Sequence, residues 1–217
     1  ELLSMIRLFD ILFSSLAIAF LLPVLVPCAL ILKFTGEKEI FYFQERIGKN
    51  KRKFSLYKFT TMLKNSENIG SGTITIKDDP RVLPFGKFLR STKINELPQL
   101  INILIGDMSI IGPRPLLEKQ FSMYDINDQE IICSVRPGLS GVGSVIFRDE
   151  ENMLSKASNP HEFYKKNITP YKAYLEKWFV EEKSLFLYFK LIVVTVIVVI
   201  FKTNNPEKLI SDKILSS

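Results

Sequence analysis

Residues 94–115 carry the side chains best suited to chemistry: an Asn95–Glu96 pair, and Arg114 set between Pro113 and Pro115. A carboxylate and a guanidinium in one short segment suit the handling of an anion, provided the chain holds them still. Two elements would have to do so. Leu97, Leu100, Ile101 and Leu104 fall at i, i+3, i+4 and i+7. This spacing predicts a helix with one apolar stripe, with Glu96, Gln99 and Asn102 facing elsewhere. Asn95 suits the N-cap, Pro98 is tolerated in the first turn, and Gly106 is a natural stop. Asn95 and Glu96 would then stand at the positive end of the helix, where an anion is favoured. Beyond Gly106, two prolines around one arginine predict a rigid loop that presents a guanidinium. An amphipathic helix with a polar cap, followed by a turn, explains the same composition without any function.

The totals narrow the classes. At 217 residues the chain suffices for one ordinary domain, and 47% of it is apolar. Much of the excess lies in residues 11–32 and 185–201. The net charge of +6 favours an anionic partner: nucleic acid, an acidic membrane face or phosphate-bearing substrates. Two distant cysteines exclude a disulfide framework or a four-Cys zinc site and fit a reducing compartment, and a single histidine excludes a multi-His centre. No DxD pair, Walker A loop, dinucleotide fingerprint or Gly-x-Ser-x-Gly elbow is present.

Residues 11–32 run without a charge. As a helix they would extend about 33 Å, enough for the roughly 30 Å of a bilayer core. A straight span competes with a helix-break-helix that enters and leaves by one face. Pro23 and Pro27 favour a break, and basic residues on both flanks (Arg7 before; Lys33, Lys38 and Arg46 after) weakly favour re-entry. Residues 40–59 predict a β-hairpin turning at Gly48–Lys51. Its basic cluster, Arg46 with Lys49, Lys51, Arg52, Lys53 and Lys58, could bind RNA with aromatic stacking. Lipid phosphates are the cheaper explanation this close to a membrane tract. Residues 64–77 read as a polar loop, 85–90 as a short helix and 116–132 as helical. Gly138, Gly141 and Gly143, flanked by Arg136 and Arg148, suit a phosphate cradle or a simple loop. Residues 160–180 predict a helix interrupted near Pro170, with Phe163, Tyr171, Tyr174 and Trp178 as an aromatic set. Residues 185–201 predict a helix lying in the interface, with Lys190 snorkelling.

Several of these stretches share a pattern. Leu89-Arg90-Ser91-Thr92-Lys93-Ile94-Asn95-Glu96-Leu97-Pro98-Gln99-Leu100, followed by Asn102 to Pro115, resembles the signature of the bacterial sugar transferases. These are the small monotopic polyprenyl-phosphate phosphoglycosyl transferases. The segments Gln44-Glu45-Arg46-Ile47-Gly48, Tyr57-Lys58-Phe59, Asp79-Pro80-Arg81 and Arg136-Pro137-Gly138-Leu139-Ser140-Gly141 resemble further motifs of the same family. The resemblance implies an α+β fold with a re-entrant helix broken at Pro23, a small β-hairpin and several short amphipathic helices. It divides the chain into a membrane segment (1–35), a transferase domain (36–183), an interfacial helix (184–202) and a polar tail (203–217). It further implies transfer of a phosphosugar from a UDP-sugar to polyprenyl (undecaprenyl) phosphate with release of UMP, an early membrane step of surface-glycan assembly. Arg81, Arg90, Arg114, Arg136 and Lys58 would bind phosphate, and Glu96 would hold Mg²⁺. The setting would be the cytoplasmic face of the bacterial inner membrane, against anionic lipids. A second copy or glycan-assembly enzymes are the candidate partners, and no nucleic acid is expected.

The chain departs from the pattern at Asn95, where the family carries its nucleophilic Asp, and at Thr60, Leu83 and Tyr188. An amide cannot form the mixed anhydride that a carboxylate can. Asn95 therefore admits three readings. One is an engineered Asp→Asn exchange. Another is a branch in which Glu96 or another carboxylate takes over, or in which transfer is direct between the substrates. The last is an inactive homologue serving as a membrane scaffold or partner subunit. A basic RNA-binding protein stays as the rival outside the family.

Overall fold

One helix, α1 (Leu2–Phe34), forms the spine. The structure is a computed structural model that describes residues 1–69, 75, 78–201 and 206–210. Half of the expected 64–77 loop, and residues 203–205 and 211–217 of the expected tail, lie outside these. At 1.5 Å per residue α1 is about 50 Å long. Ile6, Asp10, Ser14, Cys28 and Leu32 are buried along one side, with Ala17, Ile18, Leu21, Leu25 and Ala29 packed between them against the body. The opposite side leaves Leu8, Leu12, Leu16, Phe20, Leu30 and Phe34 exposed. The expected division into two helices at Pro23 is not seen, since Pro23 and Pro27 both lie inside α1. They leave the Ala19 and Pro23 carbonyls without the usual donor. Packing on either side of the prolines, by Leu21 before Pro23 and by Cys28 and Ala29 after Pro27, carries the helix through.

The predicted hairpin is present. β1 (Phe41–Ile47) pairs antiparallel with β2 (Lys53–Phe59), with Phe41 opposite Phe59 and Ile47 opposite Lys53. Helix α2 (Pro84–Ser91) follows, then the 3-10 turn Ile94–Glu96 and α3 (Gln99–Ile105). The face of α3 differs from the sequence expectation. Gln99, Leu100, Asn102 and Ile103 are buried, while Ile101 is exposed. The reason is polar: Asn102 accepts the Tyr57 N–H at 2.9 Å and donates to the Ser55 carbonyl at 2.8 Å. These bonds clamp α3 to β2 and satisfy the buried amide. Gly106 ends α3 at φ +97°, as expected of a left-handed stop.

A second strand pair had no counterpart in the sequence reading. β3 (Ser109–Ile111) runs parallel to β4 (Gly138–Ser140). Here the glycines permit close backbone approach: a Cβ on Gly138 would stand 2.1 Å from the Gly112 nitrogen, and one on Gly141 2.1 Å from the Gly112 oxygen. Between these strands lie α4 (Glu118–Phe121) and α5 (Ile126–Ile132), two short helices where one helical stretch was expected. The chain continues through α6 (Val142–Ile146), α7 (Glu150–Ser155), α8 (Pro160–Phe163), a π turn at Tyr164–Ile168, α9 (Thr169–Glu181) and α10 (Leu185–Phe201). Phe163, Tyr171, Tyr174 and Trp178 pack on the main core.

In α10, Leu187, Tyr188, Leu191, Val194 and Val198 face that core, while Phe186, Val193, Ile200 and Phe201 are exposed. Asp10 ties α1 to it. Its Oδ1 accepts from Tyr188 at 2.9 Å, Ser109 at 3.0 Å and the Ile110 N–H at 2.9 Å. The Lys190 Nζ donates to the Ile210 carbonyl at 2.7 Å. The expected polar tail includes α11 (Glu207–Ile210), whose Ile210 is buried in the same core. The result is an α+β fold with a long apolar N-terminal helix, a small antiparallel hairpin and many short helices.

Candidate active site

Three elements meet at Glu96. The hairpin brings Lys58, the 3-10 turn carries Glu96 itself, and the loop after β3 brings Arg114. Glu96 Oε1 accepts from Arg114 Nη2 at 2.9 Å and from Lys58 Nζ at 3.3 Å. Each partner is positioned by local structure. Tyr57, clamped by Asn102, immediately precedes Lys58. Lys93 enters the turn at φ +61°, directing Glu96 toward the hairpin. The Gly112 N–H donates to the Ser140 carbonyl at 2.9 Å, and the Pro113 carbonyl accepts from Gly138 at 2.8 Å, which fixes the base of the Arg114 loop.

The electrostatics follow from this crowding. Burial favours the neutral form of Glu96, but Arg114, Lys58 and Lys93 outweigh it and hold the carboxyl well below its ordinary range. Burial pushes Lys58 down to about 8; Glu96 draws it back up, while Arg114, Arg46 and Arg90 oppose it. A lysine tuned this way is a weakly held cation beside a carboxylate that stays ionised.

Asn95 is not an N-cap, for it lies inside the 3-10 turn, and α3 begins four residues later, after Pro98. Its side chain is buried and its Oδ1 has no hydrogen-bond donor. An orphaned amide oxygen next to an ionised carboxylate is a natural place for a cation or a substrate donor. Among the described residues no three His, Cys, Asp or Glu side chains cluster as a metal cage. Glu96 alone fits only a cation that keeps most of its ligands as water and substrate oxygens, which is the habit of Mg²⁺.

The other expected phosphate ligands disperse. Arg90, on α2, pairs with Glu151 and lies near enough to Lys58 to depress it. Arg81 is 3% exposed; it bonds both Asp79 oxygens and the Ser66 and Ile69 carbonyls, so it organises its own loop. Arg136 donates to the Gly106 carbonyl at 2.7 Å, behind α3 and beside Arg7. The glycine-rich segment places its backbone against Gly112 and so supports the Arg114 loop.

Sequence reasoning passed over a group behind that loop. Glu176, on α9, accepts the Arg114 backbone N–H at 3.2 Å. Lys172, one turn earlier, pairs with Glu150 and lies over the rings of Phe147 and Tyr164, 5.2 and 5.4 Å from their centres. A lone Glu on an amphipathic helix carries no signal that distinguishes it from a solvated residue.

Comparison with known proteins identifies the family. The bacterial sugar transferase family profile matches residues 3–202. The exopolysaccharide production protein ExoY of Sinorhizobium fredii is 34% identical over 166 residues, covering 70% of this chain and 73% of the relative. A UDP-N-acetylgalactosamine-undecaprenyl-phosphate N-acetylgalactosaminephosphotransferase of Aeromonas hydrophila is 37% identical over 163 residues, 71% of this chain but 37% of the relative. A putative undecaprenyl-phosphate N-acetylgalactosaminyl 1-phosphate transferase of Bacillus subtilis is 42% identical over 109 residues, 50% of this chain and 60% of the relative. With its profile matched from the spine helix to the end of α10, this chain belongs to the bacterial sugar transferase family.

Proposed function

We propose that this protein transfers a sugar phosphate from a UDP-sugar to polyprenyl phosphate at a membrane surface and releases UMP. The observation that carries this reading is the convergence of Lys58 and Arg114 on Glu96, beside the orphaned Asn95 oxygen. The names of the Aeromonas and Bacillus relatives, which specify undecaprenyl phosphate, support it. The cations would bind the diphosphate, and Arg114, held between prolines, would do so with little reorganisation. Glu96 would hold the two cations together against their mutual repulsion. Mg²⁺ bound by Glu96 would neutralise diphosphate charge. With Asn95 in the chain, transfer is direct: an oxygen of polyprenyl phosphate bonds to the β-phosphorus, the bond to the bridging oxygen breaks, and UMP leaves. Asn95 also favours a second reading, a non-catalytic partner subunit that binds the same substrates.

The membrane part of the proposal rests on α1 and α10. They pack together through Phe9, Phe13 and Phe189, and both leave apolar faces outward. Because α1 touches the body near both of its ends, we infer that both ends lie on the cytoplasmic face; re-entry would then require the helix, unbroken here, to bend at Pro23 within the bilayer. The segments 1–35 and 184–202 would then be immersed and 36–183 would lie at the surface, on the bacterial inner membrane. Single cysteines at Ser4 and Glu37 should label from the same side of intact cells; labelling from opposite sides would replace re-entry with a straight span. The reaction itself is tested by incubating the protein with undecaprenyl phosphate, Mg²⁺ and a panel of UDP-sugars. UMP release with a lipid-linked product supports transfer, and nucleotide binding without release supports the partner-subunit reading.

A further inference from the structure

We propose that Glu176 is the positioning residue for Arg114, acting on the loop's backbone from the side opposite Glu96. The inference rests on the transferase reading and extends it to a residue outside the cluster. Pro113 and Pro115 have no N–H, so the tripeptide 113–115 has a single backbone donor, that of Arg114. Glu176 Oε1 accepts that donor at 3.2 Å, while the Arg114 guanidinium reaches Glu96 at 2.9 Å. Arg114 is therefore held at both ends by carboxylates from different elements, one on its backbone and one on its side chain.

Glu176 is an unusual choice for a purely structural contact. It is 3% exposed, and its second oxygen is buried without a donor. Lys172 is committed to Glu150. Burial pushes the Glu176 carboxyl up to about 7, with the Arg114 N–H and the charges of Lys172 and Arg114 drawing it back. A buried carboxylate with one oxygen left without a donor is costly to the fold. The neighbouring backbone is also shaped for the carboxylate: a Cβ on Gly143 would stand 2.4 Å from Oε1. A residue that is expensive for the fold and bonded to the loop of a binding site fits a role in the site.

The test uses the full chain in detergent and a UDP-sugar, whose diphosphate diester keeps its charge across neutral pH. Calorimetry reads affinity and thermal unfolding reads stability. Glu176→Leu should weaken UDP-sugar binding roughly tenfold, because a guanidinium displaced by a fraction of an ångström loses alignment. Glu176→Gln retains an acceptor oxygen and should bind within about threefold of the native chain. Gly143→Ala, which displaces the same carboxylate, should weaken binding in the direction of Glu176→Leu. Native affinity in both Glu176→Leu and Gly143→Ala would overturn the role while leaving the transferase reading intact. So would a loss that Glu176→Gln fails to recover. A native chain that folds but binds no UDP-sugar would instead remove the transferase reading itself.

Discussion

Glu96 and Glu176 are two carboxylates that bond the same arginine, one partly buried and one fully, yet their surroundings drive them in opposite directions. Glu96 meets the guanidinium and Lys58, with Lys93 close by, and is held ionised. Glu176 meets only a backbone N–H, with Lys172 engaged elsewhere, and burial raises it to about 7. Burial taxes both, so the number of uncommitted cations decides the outcome. The comparison separates the roles: the first carboxylate organises charge where substrate would bind, and the second organises backbone where substrate does not reach.

The largest effect should come from adding a third carboxylate. Asn95→Asp would place one beside the cations that already hold Glu96, and intact-mass measurement with a UDP-sugar should detect a sugar-phosphate adduct absent from the native chain. An adduct on Glu96 in the native chain would break the comparison, since that side chain would then be a nucleophile and no longer an organiser. Next in size is removal of the ionised partner. Glu96→Gln strands Lys58 and Arg114 and should cost about 3 kcal/mol in denaturant unfolding. Arg114→Ala should follow, weakening UDP-sugar binding by about 1.5–3 kcal/mol in calorimetry. Unchanged affinity would reduce Arg114 to a structural residue.

The smallest effect is the most direct test of the contrast. Glu176 is raised from 4.5 to about 7, so the folded state holds its proton longer than the unfolded state does. Its contribution to stability is complete below pH 4.5 and is lost as pH rises toward 7. Glu96 is depressed, so its contribution is present above pH 4.5 and is lost only as pH falls below that. At pH 7.5, Glu176→Gln should therefore stabilise the protein by about 1–2 kcal/mol, opposite in sign to Glu96→Gln. The gain should vanish near pH 5. Equal signs at the two sites would mean that burial, and not the local cations, sets both.

The hairpin, α2 and the Gly106 stop were legible from residue type and spacing, because turn chemistry and strand alternation are local. The stripe on α3 was misread. Counting apolar positions could not reveal that Asn102 is consumed by two backbone groups of β2, which turns its face inward and leaves Ile101 exposed. The arginines were misweighted for a similar reason. Arg81 and Arg114 look alike in a chain of letters, but the first is spent on Asp79 and two carbonyls while the second reaches Glu96.

By itself the sequence determined the family, the apolar spine, the position of the Asn95–Glu96 pair and the rigid setting of Arg114. These depend on short-range order: proline removes donors, glycine admits left-handed backbone, and a long charge-free tract seeks an apolar medium. Only the tertiary structure decided which cations meet Glu96, that Asn95 lies inside a turn with an orphaned oxygen, that α1 runs through its prolines, and that Glu176 reaches the Arg114 backbone from 62 residues away. Burial and pairing decide the charge state and partner of a polar side chain, and both are properties of the packed molecule that residue order does not display.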